Sequence, residues 1–597
     1  MMNKNTLFGP VETLKSIQSD GSILINLAQP LFDFPEKLTE KLVYWAKERP
    51  NRTFIARRKS AIGDWEVLTY AETLQKVESI SQYLLNQDFT SEQTIVILSE
   101  NSLEHALLAL AALHVGIPYT AISPPYSLVS DDFGKLKHCI ELMNPQLIFA
   151  QNGKVYEKAL ALAKTIFPDA KIVTVENGNG TNFLDLVGTP STDEVAQAFE
   201  KVNADTIAKI LFTSGSTGLP KGVMHSQRMM CANLQQITQV FQFMETTPPV
   251  FVDWLPWNHT FGGNHNFGMT LYNGGSLYID DGKPTSKGIE TTIQNLREIS
   301  PTAYFNVPKG FEMIIPYLEQ EPELRSTFFK NLHFYFYAGA SLAQPIWNRL
   351  EQLAEETIGK KIPIITGLGC TESGPSAMFA TWEGGFSGLL GVPVAGMEVK
   401  LVPDGDKLEA RYKAPNVTPG YWRNPDATAQ AFDEAGYYKT GDAVKFLDEN
   451  DPTKGLVFDG RIAEDFKLST GTWVNVGVLK GKVLSAGSPI VQDVVVAGLD
   501  REYIGAILFL NADACRNLIG ENLENKEAFL HEKVAAFIEE TFQKLNKQAT
   551  GSSTRIHKTV IALEPPSIDL GEITDKGSLN QRAVLKYRAD LVEKIYS

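Results

Sequence analysis

The stretch LFTSGSTGLPKG (residues 211–222) concentrates glycine, hydroxyl side chains and a lysine within an otherwise apolar part of the chain. Three interpretations compete for it: a flexible linker, a loop that binds a nucleoside phosphate, or a surface turn without chemistry. The residues just before it, AKILF, have the apolar pattern of a buried strand, and KGVMHSQRMMCANLQQITQVFQ after it is expected to form a helix. This context argues against a linker and favours the phosphate-binding loop.

The chemistry of the stretch suits a phosphate. Glycines let backbone N–H groups approach phosphate oxygens, while the hydroxyls and Lys221 add donors and positive charge. In α/β folds such loops follow the carboxyl end of a strand and lead into a helix. A Walker loop does not fit, because it needs a glycine where Pro220 stands and a serine or threonine where Gly222 stands. A P-loop kinase or GTPase is therefore disfavoured.

Size and charge restrict the class of protein further. A chain of 597 residues has room for two to four domains. Its formal net charge of −15 argues against a nucleic-acid partner, which needs a basic surface. The four cysteines include no C-x-x-C pair, the N-terminus lacks the apolar core of a signal peptide, and no apolar run is long enough for a membrane span. We expect a cytoplasmic protein without an integral membrane segment; the oligomeric state is not readable.

The hydrophobic pattern predicts two domains. Apolar strand-like runs alternate with amphipathic helices through most of the chain, which indicates βαβ units and a sheet covered by helices. After Gly460–Arg461 the pattern changes to short strands around turns, a helix near 527–547 and a final strand, IHKTVIAL. The prediction is an α/β protein: a large N-terminal domain (1–463) with mixed or parallel sheets, followed by a small α+β C-terminal domain (464–597).

The motif T-S-G-S-T-G-x-P-K-G resembles the signature of the adenylate-forming superfamily, which includes acyl- and aryl-CoA ligases, peptide-synthetase adenylation domains and luciferases. Further segments follow in the order of that superfamily. They are WLPWNHTFGG (254–263), YAGASLAQP (337–345), GLGCTESGP (367–375), YYKTGDAVKF (437–446) and DGRIAEDFKL (459–468).

The resemblance implies nucleotide-binding roles for specific residues. The loop that holds the phosphates of ATP would comprise Thr213, Ser214, Gly215, Ser216, Thr217, Gly218 and Lys221. Gly339 and Ala340 would pack against adenine. Asp442 would accept hydrogen bonds from the ribose hydroxyls, with Arg461 on ribose or phosphate. An aromatic residue commonly stacks on adenine where this chain has Leu368.

The resemblance also implies catalytic and hinge residues. Thr371 would hold the α-phosphate and Glu372 would bind Mg²⁺, a cation that favours carboxylate and phosphate oxygens. His259 would border the acyl pocket, and Glu464 falls at the hinge of a C-terminal domain that moves as a lid. The catalytic lysine would be Lys576, in GEITDKGSLNQRAV, with Lys558 and Lys586 as the nearest competitors.

Within the superfamily the chain looks most like the feruloyl-CoA synthases, through DGRIAEDFKLSTGTWVNVG, DKGSLNQRAVL and WLPWNHTFGGNHNF. That resemblance implies an AMP-forming acid–CoA ligase that uses ATP, Mg²⁺ and coenzyme A on a hydroxycinnamic acid such as ferulate. Another aromatic or fatty acid, or transfer to a carrier protein in trans, stays open as an alternative. A non-catalytic nucleotide sensor on the same fold is a further one, disfavoured by Glu372 and Lys576.

Overall fold

The computed structural model describes residues 6–60, 62–90, 92–213, 218–339, 342–382, 385–386, 388–574 and 577–597. The strands of its N-terminal part are β1 Thr13–Ile17, β2 Ile23–Leu27, β3 Thr53–Arg58, β4 Trp65–Thr69, β5 Thr94–Leu98, β6 Tyr119–Ala121, β7 Pro145–Asn152, β8 Lys171–Glu176, β9 Thr181–Asn182, β10 Ile207–Thr213, β11 Lys221–Ser226, β12 Val250–Asp253, β13 Ser276–Ile279, β14 Ala303–Asn306, β15 Phe334–Tyr337, β16 Ile364–Gly369, β17 Ser376–Ala380, β18 Leu389–Pro393, β19 Glu398–Asp404, β20 Lys407–Lys413, β21 Tyr438–Phe446 and β22 Leu456–Arg461.

The helices of this part cover the sheets. They are α1 Thr39–Glu48, α2 Tyr70–Leu85, α3 Leu103–Val115, α4 Pro124–Leu128, α5 Gly134–Met143, α6 Glu157–Ile166, α7 Phe183–Val187, α8 Asp193–Lys201, α9 Gln227–Val240, α10 Phe267–Tyr272, α11 Ile289–Glu298, α12 Pro308–Gln320, α13 Pro322–Phe329, α14 Gln344–Ile358 and α15 Pro425–Ala431. A π-helical segment, Phe261–Asn266, runs directly into α10, and 3₁₀ turns span Gln242–Glu245, Thr371–Ser373 and Pro452–Lys454.

Three sheets organise the N-terminal part. Their strand orders are β11-β10-β6-β5-β7-β8-β9, β12-β13-β3-β4 and β1-β2-β19-β20-β21-β22-β18-β17-β16-β15-β14. Parallel pairing joins β6, β5, β7, β8 and β9, and likewise β14, β15 and β16, whereas β16 to β22 continue antiparallel. Mixed sheets covered by helices, as predicted, are confirmed.

Helix α3 illustrates why the predicted elements form. Its sequence, LEHALLALAALHV, is apolar almost throughout, which fits a helix buried on most faces. The Ser102 side chain accepts a hydrogen bond from the backbone N–H of His105 at 3.0 Å and so caps the first turn. The helix ends at Gly116, whose φ of +77° lies in the left-handed region that glycine favours.

The C-terminal part is an α+β unit with its own core. It contains β23 Phe466–Lys467, β24 Trp473–Val474, β25 Val491–Ala497, β26 Ile504–Leu510, β27 Ile556–Ile561, α16 Val476–Gly487, α17 Ala512–Ile519, α18 Asn525–Leu530, α19 Glu532–Lys547, α20 Gln581–Tyr587 and α21 Ala589–Tyr596. Strand β26 pairs antiparallel with β25 and parallel with β27. The α+β prediction is confirmed; the boundary at 464 stays a prediction. Among the described residues, no helix combines the length and apolar character that crossing a membrane requires.

One local prediction is wrong. The segment after the glycine-serine stretch does not begin as a helix: Lys221–Ser226 is strand β11, antiparallel to β10, and α9 starts only at Gln227. Residues 420–422 of the same chain hold the other side of this strand. The Trp422 N–H donates to the Gly222 carbonyl at 2.7 Å, and the Met224 N–H donates to the Gly420 carbonyl at 3.0 Å. The stretch is therefore a hairpin loop rather than a strand-to-helix turn.

Candidate functional site

The predicted phosphate loop closes the β10–β11 hairpin. Thr213 ends β10 and lies opposite Lys221, the first residue of β11. Gly218 has φ of +141°, a conformation that a residue with a side chain adopts only with strain. Strand β11 separates the loop from α9, so the N-terminus of α9 does not lie at the loop and its dipole does not act on an anion there. Anion binding here would depend on loop amides and on Lys221. Ser214, Gly215, Ser216 and Thr217 lie outside the described residues.

Lys221 and Glu372 meet through a tyrosine that the sequence analysis did not identify. The Lys221 Nζ lies 5.1 Å from the ring centroid of Tyr421, and the Tyr421 hydroxyl donates to Glu372 Oε1 at 3.0 Å. Burial raises the pKa of Tyr421, and the Glu372 carboxylate raises it further, so the phenol stays protonated and donates. Tyr421 forms a bridge with Val223 of β11. The phosphate loop and the Thr371–Glu372 turn are thus tied together.

Glu372 has the properties of a ligand for a magnesium–phosphate complex. It lies in the 3₁₀ turn after β16, its side chain is almost fully buried, and its backbone carbonyl accepts from the Thr418 N–H at 2.8 Å. Over the described ranges no cluster of three His, Cys, Asp or Glu side chains could hold a metal unaided. Mg²⁺ typically takes one or two carboxylates plus substrate phosphates, so this donor set fits an ion that arrives with a nucleotide.

Asp442 and Arg461 face each other on neighbouring strands. They are paired in register across β21 and β22, and Asp442 Oδ1 lies 3.3 Å from Arg461 Nε. Burial raises the pKa of Asp442 to about 6; the Arg461 cation opposes the rise, while Glu464 and Glu372 add to it. The Asp442 side chain is 13% exposed and that of Arg461 63%. A mostly buried carboxylate beside an exposed guanidinium is suited to bind hydroxyl groups and a phosphate.

The carboxyl ends of three parallel strands bring the other predicted residues to one edge. Strands β14, β15 and β16 are parallel, so their carboxyl ends lie at the same edge of the sheet. Gly339, just after β15, and Thr371, just after β16, therefore share that edge. Gly339 has φ of +85° and is exposed. Leu368 is half-buried within β16. Ala340 lies outside the described residues. Ligands bind at such strand ends in α/β folds.

His259 lies two residues before the π-helical segment. Its side chain is half-buried, and its backbone N–H donates to the Pro256 carbonyl at 3.1 Å. Inside the segment, the Gly263 carbonyl accepts from Lys209 Nζ at 3.3 Å. Burial lowers the pKa of Lys209 to about 7. Lys209 was missed because a lysine in an apolar strand pattern gives no sign of where its amine ends. The acyl-pocket role of His259 stays a prediction.

The hinge region contains an ion pair that the sequence did not indicate. Glu464 lies in a turn in which its N–H donates to the Arg461 carbonyl at 3.0 Å. The next residue, Asp465, is ion-paired with Lys407 of β20 and also accepts from the Val476 N–H at 2.9 Å, at the start of α16. Asp465 therefore bonds to both parts of the chain. The hinge role of Glu464 stays a prediction.

The segment that leads to Lys576 is held firmly, although Lys576 itself lies outside the described residues. The Arg588 guanidinium contacts both carboxylate oxygens of Glu572 at 2.8 Å and donates to the backbone carbonyls of Glu564 and Pro565. The Ser567 N–H also donates to Glu572, at 2.8 Å. This buried pair fixes the loop that precedes Lys576 by four residues.

The same loop docks on the N-terminal part. Asp569 accepts from the Ser130 hydroxyl at 2.7 Å and from the Asp131 N–H at 3.1 Å. Lys135 of α5 donates to the Ile568 carbonyl, and the Ile568 side chain packs against the apolar cluster beneath α5. These contacts place the loop near the β10–β11 hairpin. Helix α5 also carries His138, whose Nε2 lies 2.9 Å from the carbonyl oxygen of Pro220, the residue just before β11.

Comparison with known proteins places the chain in a family. The profile of the AMP-binding enzymes matches residues 42–422, and that of the AMP-binding enzyme C-terminal domain matches residues 465–597. A carboxylic acid reductase of Mycobacterium marinum is 22% identical over 89% of this chain, which spans about half (47%) of that protein's length. The 4-coumarate–CoA ligase-like 9 protein of Arabidopsis thaliana is 28% identical over 64% of this chain and 66% of its own.

Solved structures agree on the fold. The adenylation domain of carboxylic acid reductase from Segniliparus rugosus, in complex with AMP and a co-purified carboxylic acid, superposes with a TM-score of 0.71 at 20% identity, over 94% of each chain. At this identity the likeness shows the fold alone. The family profiles, by contrast, match both parts of the chain. The chain therefore belongs to the adenylate-forming AMP-binding enzymes.

Proposed function

We propose that the protein activates a carboxylic acid with ATP to an acyl-adenylate, releasing pyrophosphate, and then transfers the acyl group to coenzyme A. The observation that carries this proposal is the chain of contacts from Lys221 through Tyr421 to Glu372, beside Asp442 and Arg461. These groups would supply a cation for the phosphates, a buried carboxylate for a metal, and a second carboxylate for the ribose hydroxyls.

Each residue has a physical task in this reaction. A carboxylate is a poor acyl donor because its leaving group would be oxide, so the acid oxygen must attack the α-phosphorus of ATP. Lys221 would hold the departing pyrophosphate, and Lys576 would bridge the acid and the α-phosphate. Mg²⁺ on Glu372 would neutralise phosphate oxygens. Such catalysis consists mainly of positioning and electrostatic stabilisation. In the second step a thiol must reach the acyl carbon, which requires Lys576 to withdraw.

The acid we propose is a hydroxycinnamic acid such as ferulate. This choice rests on the resemblance of DGRIAEDFKLSTGTWVNVG and DKGSLNQRAVL to feruloyl-CoA synthases. A cluster of aromatic side chains behind the strand edge, including Phe261, Phe305 and Phe336, is compatible with a flat ring.

The test is acid-dependent exchange of labelled pyrophosphate into ATP, screened across cinnamic, benzoic and fatty acids with Mg²⁺ present. We expect exchange with hydroxycinnamic acids and its loss in Glu372→Gln, which removes the charge at the metal site but keeps the acceptor for Tyr421. The proposal would be refuted if none of the acids supported exchange. Product formation with free coenzyme A, measured against a carrier protein, separates the two thiol acceptors.

A further inference from the structure

Two arginines, Arg49 and Arg52, lie at the two ends of the turn that joins α1 to β3. The Arg52 N–H donates to the Arg49 carbonyl at 3.0 Å and closes this turn directly after the last residue of α1. Helix α2 holds the turn in place, because the Tyr70 N–H at its start donates to the Arg52 carbonyl at 3.1 Å. The backbone that carries the two guanidinium groups is therefore fixed.

Aromatic rings lie beside both guanidinium groups. The central carbon of the Arg49 guanidinium lies 4.7 Å from the centroid of the Trp45 ring. Trp45 is itself held, since its Nε1–H donates to the Tyr272 carbonyl at 3.2 Å. Burial raises the pKa of Tyr70, and the cations of Arg52 and Arg49 both oppose that rise. The two positive charges therefore lie close to the same phenol, on one side of the turn.

No carboxylate among the described residues neutralises this pair of charges. Neither arginine forms an ion pair within those ranges, and Arg49 Nη1 and Arg52 Nε are buried there without a hydrogen-bond acceptor. The next two arginines of the chain, Arg57 and Arg58 in β3, show the usual arrangement, because each has a carboxylate oxygen within 3.0 Å. The turn thus differs from the strand that follows it in lacking an anion.

The positive charge remains on Arg52 in spite of its burial. Burial lowers the pKa of Arg52 and the Arg49 cation lowers it further, while the phenols of Tyr70 and Tyr278 act in the opposite direction. A guanidinium has an ordinary pKa above 12, so both groups stay protonated at pH 7. Charges covered by protein are normally paired, and an unpaired one needs a reason. An anion from solution would supply the missing partner.

We propose that Arg49 and Arg52 form a binding site for a phosphate group, carried by inorganic phosphate or by a phosphomonoester. Two planar guanidinium groups can donate in pairs to the oxygens of one phosphate, and its two negative charges balance both cations, which a single carboxylate does not. The face of Trp45 holds the Arg49 side chain in place, so binding has less side-chain freedom to remove.

This site is separate from the predicted phosphate loop and does not depend on the proposed function. The turn leads into β3, in the sheet β12-β13-β3-β4, whereas the loop joins β10 and β11 in another sheet. The overall charge of −15 gives a phosphate no long-range attraction, so its binding here depends on the two arginines themselves.

The test titrates inorganic phosphate into the full-length protein by calorimetry, at constant ionic strength in chloride. We expect binding that Arg49→Gln and Arg52→Gln each weaken at least about tenfold, because each variant removes hydrogen bonds to a charged group. Arg57→Gln is the matched control, since Arg57 lies in the adjoining strand and already pairs with Asp281. Lys221→Ala removes the cation of the phosphate loop and should leave the binding at the two arginines unchanged.

Melting temperatures give a second measurement, which a merely structural role of the arginines would not change. A ligand that binds the folded protein stabilises it, so phosphate should raise the melting temperature of the parent and of Arg57→Gln above the value in chloride at equal ionic strength. In Arg49→Gln and Arg52→Gln this rise should be lost, whatever melting temperature the variants have in chloride. A rise that survives in both variants would overturn the inference.

Two other anions identify what the site recognises. Glycerol phosphate binding more tightly than inorganic phosphate would assign the site to a phosphomonoester, and the reverse order would assign it to the free ion. An equal response to phosphate, acetate and chloride would show an effect of ionic strength alone and overturn the inference. Should the arginine variants fail to fold, Lys221→Ala decides, because loss of all phosphate binding in it would exclude a second site. None of these results bears on acid adenylation.

Discussion

Asp569 offers the sharpest test of how the C-terminal part takes part in the reaction. It lies seven residues before Lys576 and receives two hydrogen bonds from the N-terminal part, from the Ser130 hydroxyl at 2.7 Å and the Asp131 N–H at 3.1 Å. If this docking holds the loop that precedes Lys576 against the β10–β11 hairpin, Asp569→Ala should weaken it. In the proposed mechanism, adenylation needs the docked state, whereas thioester formation needs Lys576 withdrawn.

The magnitude follows from the contacts. A hydrogen bond to a charged group contributes about 1.5–3 kcal/mol when shielded, but the Asp131 contact is exposed, so about 2 kcal/mol for the pair is reasonable. That corresponds to about a 30-fold fall in the ratio of docked to undocked protein. The contacts of Ile568 remain in the variant, so docking is weakened and not abolished.

The assay separates the two half-reactions. Pyrophosphate exchange measures adenylation, and thioester formation from supplied acyl-adenylate and coenzyme A measures the second step. For Asp569→Ala we expect exchange to fall by up to about 30-fold while the second step is unchanged or faster. Asp590→Ala is the control, because Asp590 is exposed on α21 and its ion-pair partner, Lys594, is 4.0 Å away. An equal fall in both steps would refute the reasoning, since general destabilisation affects both alike.

Four other substitutions probe the remaining roles. Lys576→Ala should abolish pyrophosphate exchange and spare thioester formation from supplied acyl-adenylate; equal loss of both would exclude the bridging role. Glu464→Pro should stiffen the hinge and impair mainly the second step, measured in the same pair of assays. Because Asp442 ionises near pH 6, adenosine affinity by calorimetry should weaken up to about tenfold from pH 7 to pH 5, and Asp442→Asn should remove this dependence. Lys209→Met should raise the melting temperature at pH 7, by an amount that shrinks towards pH 9. The Lys209 ammonium loses its proton near pH 7 in the folded protein and near pH 10.5 in the unfolded chain. The stability of the parent protein therefore rises with pH between these values, by at most about 1.4 kcal/mol per pH unit.

The sequence predicted features that depend on local pattern. Helix α3 could be anticipated because its apolar run, its Ser102 cap and its terminal Gly116 are all contiguous. The alternation of strands and helices likewise predicted mixed or parallel sheets covered by helices. For the same reason the glycine-serine stretch could be recognised, since its glycines, hydroxyls and Lys221 are contiguous in the sequence.

The failures share a physical cause, which is pairing between distant segments. Residues 221–226 are compatible with a helix when taken alone, and become β11 because β10 on one side and the chain at Gly420–Trp422 on the other supply their hydrogen-bond partners. Tyr421, Asp465 and Asp569 were missed for the same reason. Each acts on a group far away in sequence, and nothing in its immediate neighbours indicates that partner.

The charge of the site explains why so much of the machinery must arrive from outside it. Glu372 and Glu464 lie close enough to Asp442 to raise its pKa, and the Arg461 cation opposes that rise. A bare triphosphate would meet net repulsion there, in a protein whose overall charge of −15 gives no long-range attraction. In the proposed mechanism, metal-bound nucleotide and Lys576 would together reverse that balance. The reacting charges would then be stabilised only when both are in place, which would couple the chemistry to docking through Asp569.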